Sequence, residues 1–182
     1  MSRQPSYETD RLILRPYEGR DADRVLDIHS RVEVIRWFSE PPYKPMKDLD
    51  EARAWIGKWP EMHERDPRLG GWAIEIRDTG AVAGSLVIVN LPNSKGLTQI
   101  GWHLHPDSVG NGYVTEAARL MIDIVFGSGL DELWCDMFQD NAPSAAVARR
   151  LGLPELGVID DPWYGNQSLI FKLTHEQWAA RP

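Results

Sequence analysis

Ile100-Gly101-Trp102-His103-Leu104-His105-Pro106-Asp107-Ser108-Val109-Gly110-Asn111-Gly112-Tyr113-Val114-Thr115-Glu116-Ala117 runs from a strand, through a short glycine loop, into the start of a long helix. Proline has no N–H to give a ladder, so Pro106 closes the strand. The first turns of a helix carry backbone N–H groups with no internal partners. Together with the macrodipole, these groups favour an anion. Gly110 and Gly112 lack the side chains that would hold a phosphate away from the backbone. The segment therefore suits a diphosphate cradled by amides, with no lysine required. The same glycines also suit a plain tight turn, and a short glycine motif alone is weak evidence.

Outward from this segment, the pattern predicts a strand at Arg11–Arg15 ending at Pro16, and a helix from Asp21 with Ala22, Val25, Leu26 and Ile28 on its apolar stripe. Adjacent prolines make Trp37-Phe38-Ser39-Glu40-Pro41-Pro42-Tyr43 an aromatic loop. A second helix spans about Asp48 to His63, with Ala52, Trp55, Ile56 and Trp59 at helical spacing. Strands follow at Trp72–Arg77 and Val82–Val89, with Asp78-Thr79-Gly80 as the hairpin turn, and then at Thr98–His105. After the glycine loop come a helix at Gly112–Phe126 ended by Gly127 and Gly129, a strand at Glu132–Phe138, a helix at Pro143–Leu151 ended by Gly152, and a strand at Asn166–Leu173. Hairpins come first and strand–helix–strand units later, so the sheet is expected to be mixed. A mixed sheet can splay between central strands and take a ligand there.

The 182 residues, 42% of them hydrophobic, suit one domain across 1–182, since single domains run to about 100–200 residues. A net charge of −7 argues against broad nucleic-acid binding, which needs clustered Lys and Arg. The lone cysteine, Cys135, excludes an internal disulfide and sits in a strand pattern, where a small buried hydrophobe is the simpler reading than a nucleophile. No H-x-x-x-H helix or acidic partner pattern suggests zinc, so no metal is expected. The start of the chain lacks a signal-peptide stretch, and the longest apolar run, Ala81 to Val89, falls far short of the ~20 residues that span a bilayer. The chain reads as cytoplasmic, with no membrane partner. G-x-G-x-x-G after a first strand and G-K-[ST] are both missing, which disfavours the dinucleotide and P-loop alternatives.

A second motif, Asp140-Asn141-Ala142-Pro143-Ser144, follows the Glu132–Phe138 strand. Asn141 is a good N-cap and Pro143 and Ser144 suit a first turn, so capping alone explains them. Taken together, however, Gly110-Asn111-Gly112-Tyr113-Val114-Thr115-Glu116-Ala117 and Asn141-Ala142-Pro143-Ser144 resemble the two cofactor motifs of the GNAT superfamily. The opening Glu8-Thr9-Asp10-Arg11-Leu12-Ile13-Leu14-Arg15 and the ending Ser168-Leu169-Ile170-Phe171-Lys172-Leu173-Thr174 resemble its RimJ/RimL-like branch.

The resemblance implies an α/β (α+β mixed) GNAT fold, with a mixed, mostly antiparallel sheet splayed between its fourth and fifth strands and flanked by helices. It implies acetyl-CoA as co-substrate and N-acetyl transfer to a primary amine, either a protein or peptide N-terminus or a small amine such as a polyamine, amino acid or antibiotic. A non-catalytic acyl-CoA-binding regulator is the alternative from another class. Homodimers are frequent in such enzymes, and no feature of this sequence decides the point. The resemblance assigns the coenzyme A diphosphate to the amides of Gly110, Asn111, Gly112, Tyr113, Val114 and Thr115. It assigns the thioester carbonyl to an amide around Leu104, and the pantetheine arm to Asn141. The sequence departs from the usual pattern at Val109, where Gln or Arg is common, and at Val114, where a small residue is common. The tyrosine that many relatives use to protonate the leaving thiolate corresponds to Ala148, which leaves Ser144 for that role.

Direct attack of an amine on the thioester passes through an oxyanion that a positioned amide stabilises. The base candidates are His103 and His105, expected on one face of the strand, with Glu75 or a water chain as alternatives. The aromatic residues Trp37, Phe38, Tyr43, Trp163 and Tyr164 fall in expected loops and are candidates to bind the acceptor, although each would serve equally as a cap on the core.

Overall fold

The structure, a computed structural model, describes residues 4–181. Its strands are β1 (Tyr7–Glu8), β2 (Leu12–Pro16), β3 (Gly70–Ile76), β4 (Val82–Asn90), β5 (Thr98–Leu104), β6 (Glu132–Phe138), β7 (Glu155–Asp160) and β8 (Gln167–Thr174). Its helices are α1 (Ala22–Ser30), α2 (Val32–Ile35), α3 (Leu49–Arg65), α4 (Tyr113–Gly127), α5 (Ala142–Arg150) and α6 (His175–Ala179). The strands lie in the order β1-β2-β3-β4-β5-β6-β8-β7. The β1–β2, β2–β3, β6–β8 and β7–β8 pairs are antiparallel, and the β5–β6 pair is parallel, joining Thr98 to Leu133 and Gln99 to Trp134. The sheet is thus mixed and mostly antiparallel, with helices beside it.

The chain resolves into two compact units, Met1–Val87 with Trp102–Ala117, and Ile88–Gly101 with Ala118–Pro182. In the first, Leu12 and Leu14 of β2, Trp72 and Ile74 of β3 and Ala83 and Leu86 of β4 are buried. Helix α1 closes this core with Val25 and Ile28, and packs on α3, which adds Ala52, Ile56 and Trp59. Asp48 starts α3 by accepting from the N–H groups of Asp50 and Glu51, which removes two of the unpaired donors of the first turn. In the second unit, Leu133 and Cys135 of β6 and Ile170, Phe171 and Leu173 of β8 are buried, as are Met121, Ile122, Val125 and Phe126 of α4. Among the described residues no helix is long and apolar enough to cross a membrane.

Two expectations need correction. Strand β5 stops at Leu104, one residue before the expected end, and His105 begins a 3-10 turn over Pro106–Ser108; both histidines still meet α1, His103 at His29 and His105 at Asp27. Among the described residues the sheet has eight strands where six were expected, β1 and β7 being additional. Strand β7 is exposed at nearly every position, and Gly157, at φ 100°, shifts its register against β8. The two-residue alternation that reveals a half-buried strand is therefore missing.

Candidate active site

The glycine loop of the first unit enters α4 at Tyr113. Gly110 and Gly112 have φ of 87° and 76°, a region that L side chains rarely adopt. Neither is crowded: a Cβ on Gly110 would meet nothing within 4 Å, and one on Gly112 only Arg11 Nη2 at 3.7 Å. The bare backbone of the loop thus faces open space. Asn111 braces it from within, its Nδ2 donating to the carbonyls of Ser108 and Val109 at 3.2 and 3.3 Å. In the first turn of α4, Thr115 Oγ1 is buried without a hydrogen-bond partner. Val114 is buried, whereas Val109 stands 64% exposed, so the two departures from the usual motif fall on a core position and a solvated one.

Sequence reasoning missed the residues that hold this loop. Arg11 Nη1 donates to the Asn111 carbonyl at 3.0 Å, and its guanidinium lies over the Tyr113 ring. Arg11 also pairs with Glu116 at 2.6 Å, and the Thr9 hydroxyl donates to the same carboxylate at 2.6 Å. Both halves of this clamp lie in quoted motifs, and only their pairing across 105 residues was hidden.

The loop follows a close approach of two strands. A Cβ on Gly84 would lie 2.1 Å from the His103 carbonyl oxygen and 2.7 Å from Leu104 Cα, so glycine alone lets β4 pass β5 there. The His105 amide then donates to the Ala83 carbonyl at 2.8 Å.

His103 sits in an aromatic cluster, 4.8 Å from the His29 ring, 5.0 Å from Phe38 and 6.4 Å from Trp55. The Nε2 atoms of His29 and His103 are buried without hydrogen-bond partners. Burial, aided by the charge of Lys58, depresses His29 to about 4, and burial with His29 and Lys58 holds His103 well below the ordinary histidine range. Both rings are neutral at neutral pH. His105 is occupied: Nε2 meets Asp27 at 3.0 Å, and Nδ1 meets Asp107, whose N–H and carboxylate lie at 3.1 and 2.8 Å. Glu75 is also engaged, accepting from Arg15 Nε at 2.6 Å, and Arg15 in turn binds Asp21.

Beside the histidine cluster is a cavity of about 490 Å³, with Ile35, Phe38 and Met46 among its apolar walls and Glu40, Lys44 and Glu51 among its polar ones. Of the aromatic candidates, Phe38 lines this cavity, Trp37 stacks under Arg36, and Tyr43 is half-buried in the same loop.

In the second unit, Asn141 caps α5 through Oδ1, which accepts from the Ser144 N–H at 3.2 Å. Asn141 is buried and Ser144 half-buried. Trp163 meets Trp134 edge to face at 5.1 Å, and the Tyr164 hydroxyl accepts from Gln99 Nε2. Burial pushes the Cys135 thiol far up, so it stays protonated and is no nucleophile.

The known proteins similar to this chain point to one family. The family model described as "Acetyltransferase (GNAT) domain" matches residues 11–154. The uncharacterised N-acetyltransferase YoaA of Bacillus subtilis (strain 168) is 28% identical over 163 residues, covering 89% of this chain and 90% of its own. Spermidine N(1)-acetyltransferase of Escherichia coli (strain K12) is 25% identical over 154 residues, covering 84% and 78%. A solved structure from Vibrio cholerae, described provisionally as a ribosomal-protein-serine acetyltransferase, superposes with a TM-score of 0.71 at 22% identity over 96% of this chain and 99% of that one.

Proposed function

Because the chain belongs to the GNAT acetyltransferase family, and is thereby an acetyl-CoA-dependent N-acetyltransferase, we propose that it acetylates the amino terminus of a protein or peptide by direct attack in a ternary complex. The observation that carries the reading is the glycine loop, with two uncrowded glycines at positive φ ahead of a helix and an unpartnered Thr115 hydroxyl beside them. Those features fit a diphosphate. The amides of Gly110, Asn111, Gly112, Tyr113, Val114 and Thr115 would hold it, with no cationic side chain needed.

The remaining roles follow the family pattern. The Leu104 amide stabilises the oxyanion. Asn141 spends Oδ1 on its cap and leaves Nδ2 for the pantetheine arm, and the Ser144 hydroxyl passes a proton to the departing sulfur while taking one from water. Trp37, Phe38, Tyr43, Trp163 and Tyr164 bind the acceptor. A cavity of about 490 Å³ suits the first residues of a peptide, and Glu40 and Glu51 on its walls attract an ammonium group. The amine gives its proton to water. His103 is too weakly basic, and His105 and Glu75 are committed to ion pairs and hydrogen bonds. The resemblance of both chain ends to RimJ/RimL-like enzymes supports a protein N-terminus. The likeness to a spermidine acetyltransferase keeps a small polyamine as the second reading.

A thiol-release assay separates these readings. Acetyl-CoA is offered with short unblocked peptides, with the same peptides blocked at the amino terminus, and with spermidine. Release with unblocked peptides alone supports the proposal. Release with spermidine alone replaces it with the second reading, and acetyl-CoA binding without release from any amine makes the protein a non-catalytic binder.

A further inference from the structure

We propose that Asp136 of β6 and Asp161, which opens the turn between β7 and β8, share one proton, and that this proton positions Trp163 and Tyr164 for the amine acceptor. The second half of the proposal rests on the assignment of those two aromatics to the acceptor.

Asp161 is 4% exposed and organises the turn around its carboxylate. Its Oδ1 accepts from the N–H groups of Trp163 at 2.7 Å and Tyr164 at 3.1 Å, and its Oδ2 accepts from the Ser168 hydroxyl at 2.8 Å. The backbone closes the same turn, with the Asp161 N–H donating to the Asn166 carbonyl at 2.7 Å and the Gly165 N–H donating to the Asp161 carbonyl at 3.0 Å. The β6–β8 register sets Asp136 opposite Ile170, on the same face as Ser168 and diagonal to it, and Ser168 is the residue that bonds Asp161, so the second carboxyl group comes beside the first. Its Oδ2 is sealed from solvent with no hydrogen-bond partner. Two carboxylates in contact cannot both ionise cheaply, so such a pair titrates as a unit.

The donors decide where the proton sits. Burial works to raise the Asp161 carboxyl, but the bonds from Trp163, Ser168, Asp136 and Tyr164 outweigh it and keep Asp161 ionised. Asp136 has no such set of donors, and burial, reinforced by Asp161, pushes it up to about 7. The proton therefore belongs to Asp136, whose O–H donates to Asp161. The groups packed on the pair itself are neutral near pH 7. Burial raises the Tyr164 phenol and the Cys135 thiol, and Gln99 and Ser168 do not titrate. Lys172 of β8 is turned to Glu132 at 3.4 Å.

Loss of the proton sets two carboxylates against each other at the root of the turn. The turn then loosens at the residues Asp161 holds, Trp163 and Tyr164. Asp136 is thus a positioning residue that acts through Asp161. The pattern of β6 hides it, because Asp136 falls on the same alternating face as Glu132 and Trp134 and reads as an ordinary solvated position.

The test uses the full-length protein labelled with 5-fluorotryptophan, with the Trp163 signal identified through Trp163→Phe. In 19F spectra from pH 5.5 to 8.5, the Trp163 signal of the wild type should titrate with a midpoint near 7. In Asp136→Asn it should not titrate, because the amide still donates to Asp161 but cannot ionise. A wild-type signal that stays fixed, or the same titration in Asp136→Asn, overturns the shared proton; the wild-type arm decides even if the variant does not fold. For the acceptor, an unblocked peptide is followed by thiol release. The ratio of wild-type KM to Asp136→Asn KM should rise severalfold across the same midpoint, with the kcat ratio unchanged. A titrating Trp163 signal with a flat KM ratio, or with no turnover, overturns acceptor positioning and removes Trp163 and Tyr164 from that site while the shared proton stands.

Discussion

Single residues set both the shape and the proton chemistry of the first unit. Gly84 is the sharpest case, because any Cβ there collides with the His103 carbonyl and Leu104 Cα. Gly84→Ala should therefore push β5 from β4 and cost about 1–3 kcal/mol or more, as overpacking does. Urea denaturation measures that cost, and a loss below 0.5 kcal/mol would mean the strands yield freely. His29 is a second case. Burial, with Lys58, lowers it to about 4 in the folded state, below the unfolded value near 6.5. The sign follows: between these values the unfolded chain binds a proton that the native ring refuses, so stability falls as pH drops through the window. One such group gives a slope of about 1.4 kcal/mol per pH unit. Because His103 is depressed as well, unfolding free energies at pH 4.5, 5.5 and 7 should fall at least this steeply in the wild type and less steeply in His29→Gln. Equal slopes would mean that the His29 ring is hydrated.

At the scale of elements, the start of α4 is tied to the strand entering the sheet. Thr9 and Arg11 immediately precede β2, and both close on Glu116 in the first turn of the helix. Arg11 is 51% exposed, so the ion pair is screened and modest. Glu116→Ala should cost only about 1 kcal/mol of stability, yet it frees Arg11 from the loop it braces, so acetyl-CoA affinity should fall more than that figure suggests. Calorimetry on the folded variant checks this, and unchanged affinity would show the loop to be self-supporting. The same pairing shows what a sequence reveals and what it withholds. Helix α3 was legible because Ala52, Trp55, Ile56 and Trp59 repeat at helical spacing and Asp48 marks the cap. The glycine loop was legible because strand, glycines and helix stand in order along the chain. The Thr9–Arg11–Glu116 clamp and the Asp136–Asp161 contact were not, since each joins residues whose own neighbourhoods look like solvated surface. The histidines were misjudged for a related reason. Alternation along a strand tells which face a side chain takes, but not that β5 ends at Leu104, nor that an aromatic cluster keeps His103 neutral.

For the whole molecule, the test of the glycine loop is the coupling of binding to folding. A ligand that binds only the native state adds RT ln(1 + [L]/Kd), about 2.7 kcal/mol at a hundred times its Kd. For a chain of this size 1 kcal/mol moves Tm by about 2–4 °C, so saturating acetyl-CoA should raise Tm by roughly 5–10 °C. Free coenzyme A should do nearly as much if, as proposed, the loop and Asn141 hold the diphosphate and pantetheine. Gly112→Glu sets the control. At φ 76° any side chain is strained, and the added carboxylate stands in the loop to which we assign the diphosphate. The variant should keep its circular dichroism and most of its Tm but gain little from acetyl-CoA. The acidic character of the chain, −7 overall, predicts in addition that the wild-type shift grows with ionic strength between 20 and 200 mM salt, because screening weakens the repulsion between protein and a polyanionic ligand. A shift that shrinks as salt rises would mean that cations near the loop, Arg11 first among them, outweigh the net charge. A full shift retained in Gly112→Glu would place the diphosphate elsewhere on the protein.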